Sequence, residues 1–143
     1  MGDSDEKLHR VYLTEKFTPY YRKLIAMRRR FYGQIGMGEM IRTPEVVCST
    51  PAEQVNLKGM RFEFPAINAS AWRDSGGTAV IFFTNHTKTP QSFSWSVDAR
   101  ELPGKAAQVV TVSDRGEFTV VPHRENRLTL EPLGVAAVVY PAQ

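Results

Sequence analysis

The run from Ala71 to Asp98, Ala-Trp-Arg-Asp-Ser-Gly-Gly-Thr-Ala-Val-Ile-Phe-Phe-Thr-Asn-His-Thr-Lys-Thr-Pro-Gln-Ser-Phe-Ser-Trp-Ser-Val-Asp, constrains what this chain can fold into more than any other stretch. Two polar turns, Ser75-Gly76-Gly77 and His86 to Pro90, cut it into three segments with strand character. The third, Gln91 to Asp98, sets Phe93, Trp95 and Val97 against Ser92, Ser94 and Ser96. Side chains alternate across a strand, so three large apolar groups face a core and three hydroxyls face solvent. The middle segment, Thr78 to Asn85, is largely apolar and suits a central strand.

The same period recurs outside this run. Strands are expected at Glu45 to Ser49, Met60 to Phe64, Ala69 to Asp74, Ala107 to Val112, Glu117 to Val121, Arg127 to Leu130 and Val135 to Tyr140. In Met60 to Phe64, Phe62 and Phe64 face one way and Arg61 and Glu63 the other. Pro51 to Lys58 reads as a loop, and Asp74 as a turn residue whose carboxylate caps nearby backbone amides. Val135 to Tyr140 is apolar throughout, as a strand buried on both faces would be, and is expected to close the core. Short strands with frequent turns specify a sandwich or barrel. The expected fold is mainly β: an antiparallel β-sandwich over residues 44–143, preceded by an N-terminal α-helical segment and connector over residues 1–43.

Within the helical segment, Thr18-Pro19 is a start signal, an N-cap followed by a first-turn proline. It divides a short helix near residues 5 to 16 from a second running from Pro19 to about Tyr32, stopped by Gly33. Tyr20, Tyr21, Leu24, Met27 and Phe31 share a face of the second helix. That stripe is too aromatic to be left in water, so it packs on the sandwich or on another partner. Gly33 to Met40 is glycine-rich, yet it follows a helix and lacks the Lys-Ser/Thr of a phosphate loop, so it reads as a flexible connector.

The formal net charge of +3 sits largely in Arg22-Lys23 and Arg28-Arg29-Arg30 on that helix. This is a solvated or ion-paired face, and no nucleic-acid partner is expected. No apolar run approaches the roughly 20 residues that span a bilayer, so no membrane partner is expected either. Cys48 is the single cysteine, which rules out an intramolecular disulfide and a thiolate-built zinc site; it reads as a small buried hydrophobe. A polar start without a secretory apolar segment and one unpaired cysteine slightly favour the cytoplasm.

The candidates for chemistry are scattered. Glu39, Glu45, Glu63, Asp74, Asp98 and Glu101 are not spaced as an acid–base pair, and His9, His86 and His123 have no ligand spacing. No Gly-x-Ser-x-Gly elbow occurs. No catalytic residue, cofactor or metal is therefore expected. The one binding feature is aromatic: Trp72 and Trp95, with Tyr140, could face sugar rings. Trp95 belongs with Phe93 and Val97 in the core. Trp72 fits either core or rim, and is the candidate carbohydrate-binding residue.

The Ala-Trp-Arg-Asp…Gly-Thr-Ala-Val-Ile-Phe-Phe-Thr-Asn-His-Thr…Phe-Ser-Trp-Ser-Val run, closed by Arg127-Leu-Thr-Leu-Glu-Pro-Leu-Gly-Val-Ala-Ala-Val-Val-Tyr140, resembles the C-terminal β-sandwich that follows the catalytic barrel in many glycoside hydrolases. The resemblance covers residues 44–143 and includes an asparagine, here Asn85, at a strand end before a polar turn. Phe17 to Glu45 is similar to the last barrel helix of such enzymes and the passage into the sandwich. The resemblance implies a non-catalytic accessory domain, the catalytic acid and nucleophile belonging to barrel strands this chain lacks. Its implied partner is the barrel of a glycoside-hydrolase parent. Two alternatives remain: a free-standing carbohydrate-binding module, and an interaction domain that forms a homo-oligomer through the Tyr20, Leu24 and Phe31 helix face.

Overall fold

A computed structural model describes residues 18–50, 53–102 and 104–143; the helix expected over residues 5 to 16 lies outside them. Within these residues α1 (Thr18–Arg30) and the short α2 (Tyr32–Ile35) precede eleven strands. The strands are β1 (Glu39–Ile41), β2 (Glu45–Cys48), β3 (Glu53–Leu57), β4 (Met60–Phe64), β5 (Ile67–Arg73), β6 (Ala79–Asn85), β7 (Gln91–Ser96), β8 (Gln108–Val112), β9 (Phe118–Pro122), β10 (Arg127–Leu130) and β11 (Val135–Tyr140). They form a six-stranded sheet in the order β1-β5-β6-β11-β8-β9, a three-stranded sheet β10-β7-β2 and a two-stranded ribbon β3-β4. Every pairing is antiparallel. The fold is mainly β, a sandwich with an N-terminal helix, as the alternating pattern requires.

The two larger sheets enclose the main core. Ala79, Ile81 and Phe83 of β6 and Ala136, Val138 and Tyr140 of β11 meet Phe93, Trp95 and Leu130 of the smaller sheet. Phe83 is the hub, its ring 5.0 Å from that of Phe93 and 4.6 Å from that of Trp95. On the opposite face of the six-stranded sheet, Val80, Phe82, Val110, Val112, Val135 and Ala137 form a second apolar layer, covered by Met27 and Phe31 from α1 and its end. Phe31 meets Phe82 edge-on at 5.5 Å. β6 and β11 are apolar on both faces because one face meets the smaller sheet and the other meets the helix.

The stripe on α1 therefore finds its partner within the chain. Tyr20 and Leu24 pack against the same layer, whereas Tyr21 points outward and is largely exposed. Lys23 lies on the inward side, only 3% exposed, with its ammonium 3.0 Å from Asp114, 3.3 Å from Glu131 and donating to the Leu133 carbonyl at 3.3 Å. One cation thus fixes the helix to the β8–β9 turn and the β10–β11 bend. Arg30 lies over the Phe118 ring at 4.6 Å and extends the contact to the sheet edge.

Three local expectations are corrected. Gly33 does not end the helix: α1 stops at Arg30, Phe31 breaks the regular geometry with φ −105° and ψ 32°, and Gly33 sits inside α2. The connector Gly33 to Met40 is built structure, with α2 leading into β1, whose Met40 pairs with Trp72 and whose Ile41 is buried. Gly38 makes that passage possible, because a Cβ there would collide with the carbonyl oxygens of Arg73 and Gln34. The expected loop Pro51 to Lys58 contains β3, paired along its length with β4 and turned at Lys58-Gly59, both at positive φ. That geometry is the tight hairpin turn whose twist matches the strands.

Candidate functional site

Trp72 sits on β5 next to Val80 of β6 and opposite Met40 of β1. It is half-buried and packs against the helix-covered layer, with its indole N–H donating to Ser70 Oγ at 3.2 Å. One side of the ring is thus committed to the protein. Trp95 is fully committed: it is buried, and its indole N–H donates to the Tyr140 hydroxyl at 3.1 Å, which in turn donates to Asn126 Oδ1 at 3.1 Å. Burial pushes the Tyr140 phenol above its ordinary range, offset in part by the bond from Trp95. The three aromatics considered as a sugar-stacking face are not brought together on one surface. Trp72 belongs to the helix layer, while Trp95 and Tyr140 belong to the inner core.

The carboxylates hold the fold at separate places. Glu39 accepts from Arg73 at 2.7 Å, and this bond raises the Arg73 pKa. Asp74 takes the turn role its sequence position implied, accepting the Thr78 amide at 3.0 Å, and it also accepts from Gln34 of α2 at 2.7 Å. Asp98 is held below the usual carboxylate range by the Arg100 guanidinium and backbone amide. Glu63 accepts from Gln54 across the ribbon at 3.1 Å. Among the described residues, no group of three or more His, Cys, Asp or Glu side chains is placed to hold a metal ion.

Two features were not legible in the sequence. The first is a buried polar knot at the β6–β7 turn. The Asn85 amide donates to the carbonyls of Thr89, Leu130 and Glu131 at 2.9–3.1 Å and accepts from the Thr87 amide and hydroxyl. Gln91 continues it, donating to the Thr87 and Thr89 hydroxyls and accepting from Thr50 at 2.6 Å. Cys48 is half-buried, not fully buried as expected, because its thiol reaches Gln91 Oε1 at 3.4 Å at the rim of this knot.

The second is an open groove of about 560 Å³ on the outer face of the three-stranded sheet. Its floor is Ser92 and Ser94 of β7, and its walls are Val47 of β2 on one side and His123, Arg127 and Thr129 on the other. The longer side chains of the flanking strands rise above the small hydroxyls of the central one, in the register Val47–Ser94–Arg127. Ser92 and Thr129 hydroxyls bond to each other at 2.8 Å, and a His123 ring nitrogen bonds the Arg127 carbonyl at 2.9 Å. The signal was present as the Ser92, Ser94, Ser96 alternation, which gave the solvent face but not its walls.

No protein-family model matches the chain, and no curated protein and no solved structure is significantly similar to it.

Proposed function

We propose that this chain is a non-catalytic accessory domain of a larger glycoside-hydrolase-like protein, its sandwich stabilising a catalytic barrel. The observation that carries this reading is the state of the two tryptophans. A sugar-stacking platform needs an aromatic face open to a pyranose, and here Trp95 is buried while Trp72 is wedged beside the helix layer with its N–H on Ser70. The carboxylates with described partners tie turns and strands together, which suits a scaffold. The sequence resemblance of residues 44–143, and of the helix before them, supports the barrel as the stabilised partner.

The test is calorimetry against a panel of oligosaccharides, with a glycosidase assay on the same material. No binding and no hydrolysis are expected. Trp72→Ala should instead lower stability by about 1–3 kcal/mol, less than a fully buried aromatic, because part of its surface is already in water. Tight binding lost in Trp72→Ala sinks the scaffold reading. In the intact protein, removal of residues 44–143 should lower the melting temperature of the catalytic domain. An unchanged melting temperature sinks the stabilising role.

One observation favours a carbohydrate-binding module instead, the groove over Ser92 and Ser94. Its hydroxyl floor and Arg127 wall offer donors and acceptors to a polyhydroxylated chain without any aromatic platform. Binding abolished by Arg127→Ala and untouched by Trp72→Ala would mark this second reading.

A further inference from the structure

The two sheets of the sandwich differ in width. Three strands face six: β2 lies against β5, Phe93 of β7 against Phe83 of β6, and Leu130 of β10 joins the core that holds Val109 of β8. β9 extends past this cover. Directly opposed residues of an antiparallel pair share a side, so Val121 lies on the inner face with Val109, and Thr119 with Thr111. Val109 is 7% exposed and Val121 47%. Between this bare strip and β10 runs a cavity of about 350 Å³, bounded by Thr111 and Thr119 on one side and by Thr129 and Leu130 on the other.

The edge of β10 that borders this cavity is an open ladder. The Trp95 amide donates to the Asn126 carbonyl at 3.0 Å, which sets the phase of the β7–β10 pairing. Asn126, Leu128 and Leu130 turn their backbone groups toward β7, and Arg127 and Thr129 turn theirs away. β10 ends its sheet, so among the described residues no strand meets these outward groups. The Arg127 carbonyl accepts from a His123 ring nitrogen; its amide, and both backbone groups of Thr129, face the open side. The outer face beside this edge is cationic. Arg127 is 78% exposed, with its Nε 3.9 Å from Glu125, longer than a hydrogen bond.

We propose that the β10 edge accepts an extended peptide of alternating apolar and acidic residues, which completes the smaller sheet as a fourth strand lying over β9. The site is independent of the accessory reading and distinct from the groove over Ser92 and Ser94, which lies on the outer face. Outward backbone groups at every second residue are met by a backbone of the same repeat. In antiparallel addition the residues directly opposite Arg127 and Thr129 exchange backbone bonds with them and share their outer face, so a glutamate there meets the guanidinium as a cross-strand pair. The alternate residues point inward, where a valine covers Val121 and enters the cavity beside Thr111 and Thr119. The other edges lack this combination. The outer edge of β9 ends at Pro122, which has no amide to donate, and beside β2 the inner face is closed because Ile41 of β1 is already buried.

The probe is a fluorescein-labelled synthetic peptide of about eight residues that alternates valine with glutamate, titrated with the full chain and read by anisotropy. Saturable binding is expected below about 1 mM. N-methylation of the glutamate amides keeps every side chain and removes the donors aimed at β10, and should weaken binding about tenfold or more. Arg127→Glu should weaken this peptide and tighten the counterpart that carries lysine in place of glutamate. With peptide bound, hydrogen exchange followed by NMR should slow at the Arg127 and Thr129 amides and stay unchanged at Leu128 and Leu130, which already bond β7. A chain that binds no peptide by about 1 mM overturns the proposal. Equal affinity for the plain and N-methylated peptides does so too, as does binding that protects Phe118 and Val120 on β9 and leaves Thr129 unprotected. Protection of Arg127 and Thr129 that rises with protein concentration alone assigns the edge to a second copy and equally overturns it.

Discussion

Strands β4 and β7 carry the same signature and meet opposite fates. Met60, Phe62 and Phe64 alternate with Arg61 and Glu63 as cleanly as Phe93 and Trp95 alternate with Ser92, Ser94 and Ser96. In β7 the aromatics are buried against Phe83 and the serines face out, while in β4 every residue is exposed. The difference lies in the neighbours. β7 is the centre of a sheet stacked on a second sheet, and β4 has β3 alone. Alternation decides which side chains share a face; only a second layer turns that face into a core.

The largest test removes the element on which both layers depend. β11 lies between β6 and β8 and supplies Ala136, Val138 and Tyr140 to the inner core and Val135 and Ala137 to the helix-covered layer. A chain ending at Pro132 should show no cooperative transition by circular dichroism, whereas the ribbon would be untouched in sequence. A soluble truncation that melts cooperatively would refute the two-layer account. Next in size is a matched pair of substitutions. Phe93→Ala should cost about 3–5 kcal/mol in urea unfolding, the range for emptying an aromatic site in a core. Phe62→Ala, on the exposed ribbon, should stay within about 0.5 kcal/mol. Comparable losses at the two sites would break the distinction between them.

How much of this was legible follows from the same distinction. The strands β6, β7, β10 and β11 could be read because each is either strictly alternating or apolar on both faces, and tertiary packing agrees with the local pattern. The strand β1 could not. Its Glu-Met-Ile sequence is short and lies behind three glycines, and what makes it a strand is edge pairing with β5, a non-local contact. β3 was hidden in the same way, since its partner β4 alone fixes its register. The need of the α1 stripe for a partner was readable, but the identity of that partner required knowing that β6 and β11 leave a second apolar face open. The candidate site fared worse. Trp72 fits core or rim in the sequence and is half-buried in the structure, and the polar knot at Asn85 and Gln91 was invisible because buried amides look like turn residues in a sequence.

Lys23 sharpens the comparison from the side of the covered sheet, since it holds in place the layer that β4 lacks. A lysine on a basic helix reads as solvated, yet this one is buried and its partners are far along the chain. Asp114 and Glu131 are themselves about two-thirds exposed, at 70% and 68%, so solvent screens most of the ion-pair attraction. The larger contributions are the bond to the Leu133 carbonyl and the packing of the aliphatic stem. Lys23→Ala should therefore cost about 1–3 kcal/mol, and Lys23→Met, which keeps the stem, should recover part of it. Unfolding at about 1 M salt should leave the unaltered chain nearly as stable as at low salt. A loss that salt reproduces in full would instead make the ion pairs the main link between helix and sheet.

The smallest effect distinguishes a buried polar group from an exposed apolar face by pH. The Tyr140 hydroxyl is held between Trp95 and Asn126, and burial raises its pKa. The unfolded chain loses this proton near its ordinary value of about 10, while the folded chain still keeps it. Above that point the unfolded state binds fewer protons than the folded one, so stability falls as pH rises. The contribution of Tyr140 is thus fully present below about pH 10 and is lost as pH climbs through its raised folded value. Tyr140→Phe should cost about 1 kcal/mol at neutral pH for the lost hydrogen bonds and should flatten the alkaline decline in urea midpoints between about pH 9 and 11. Phe62→Ala, on the exposed ribbon and far from Tyr140 in the fold, should keep the slope of the unaltered chain. If Tyr140→Phe keeps that slope as well, the alkaline decline has its origin outside the inner core.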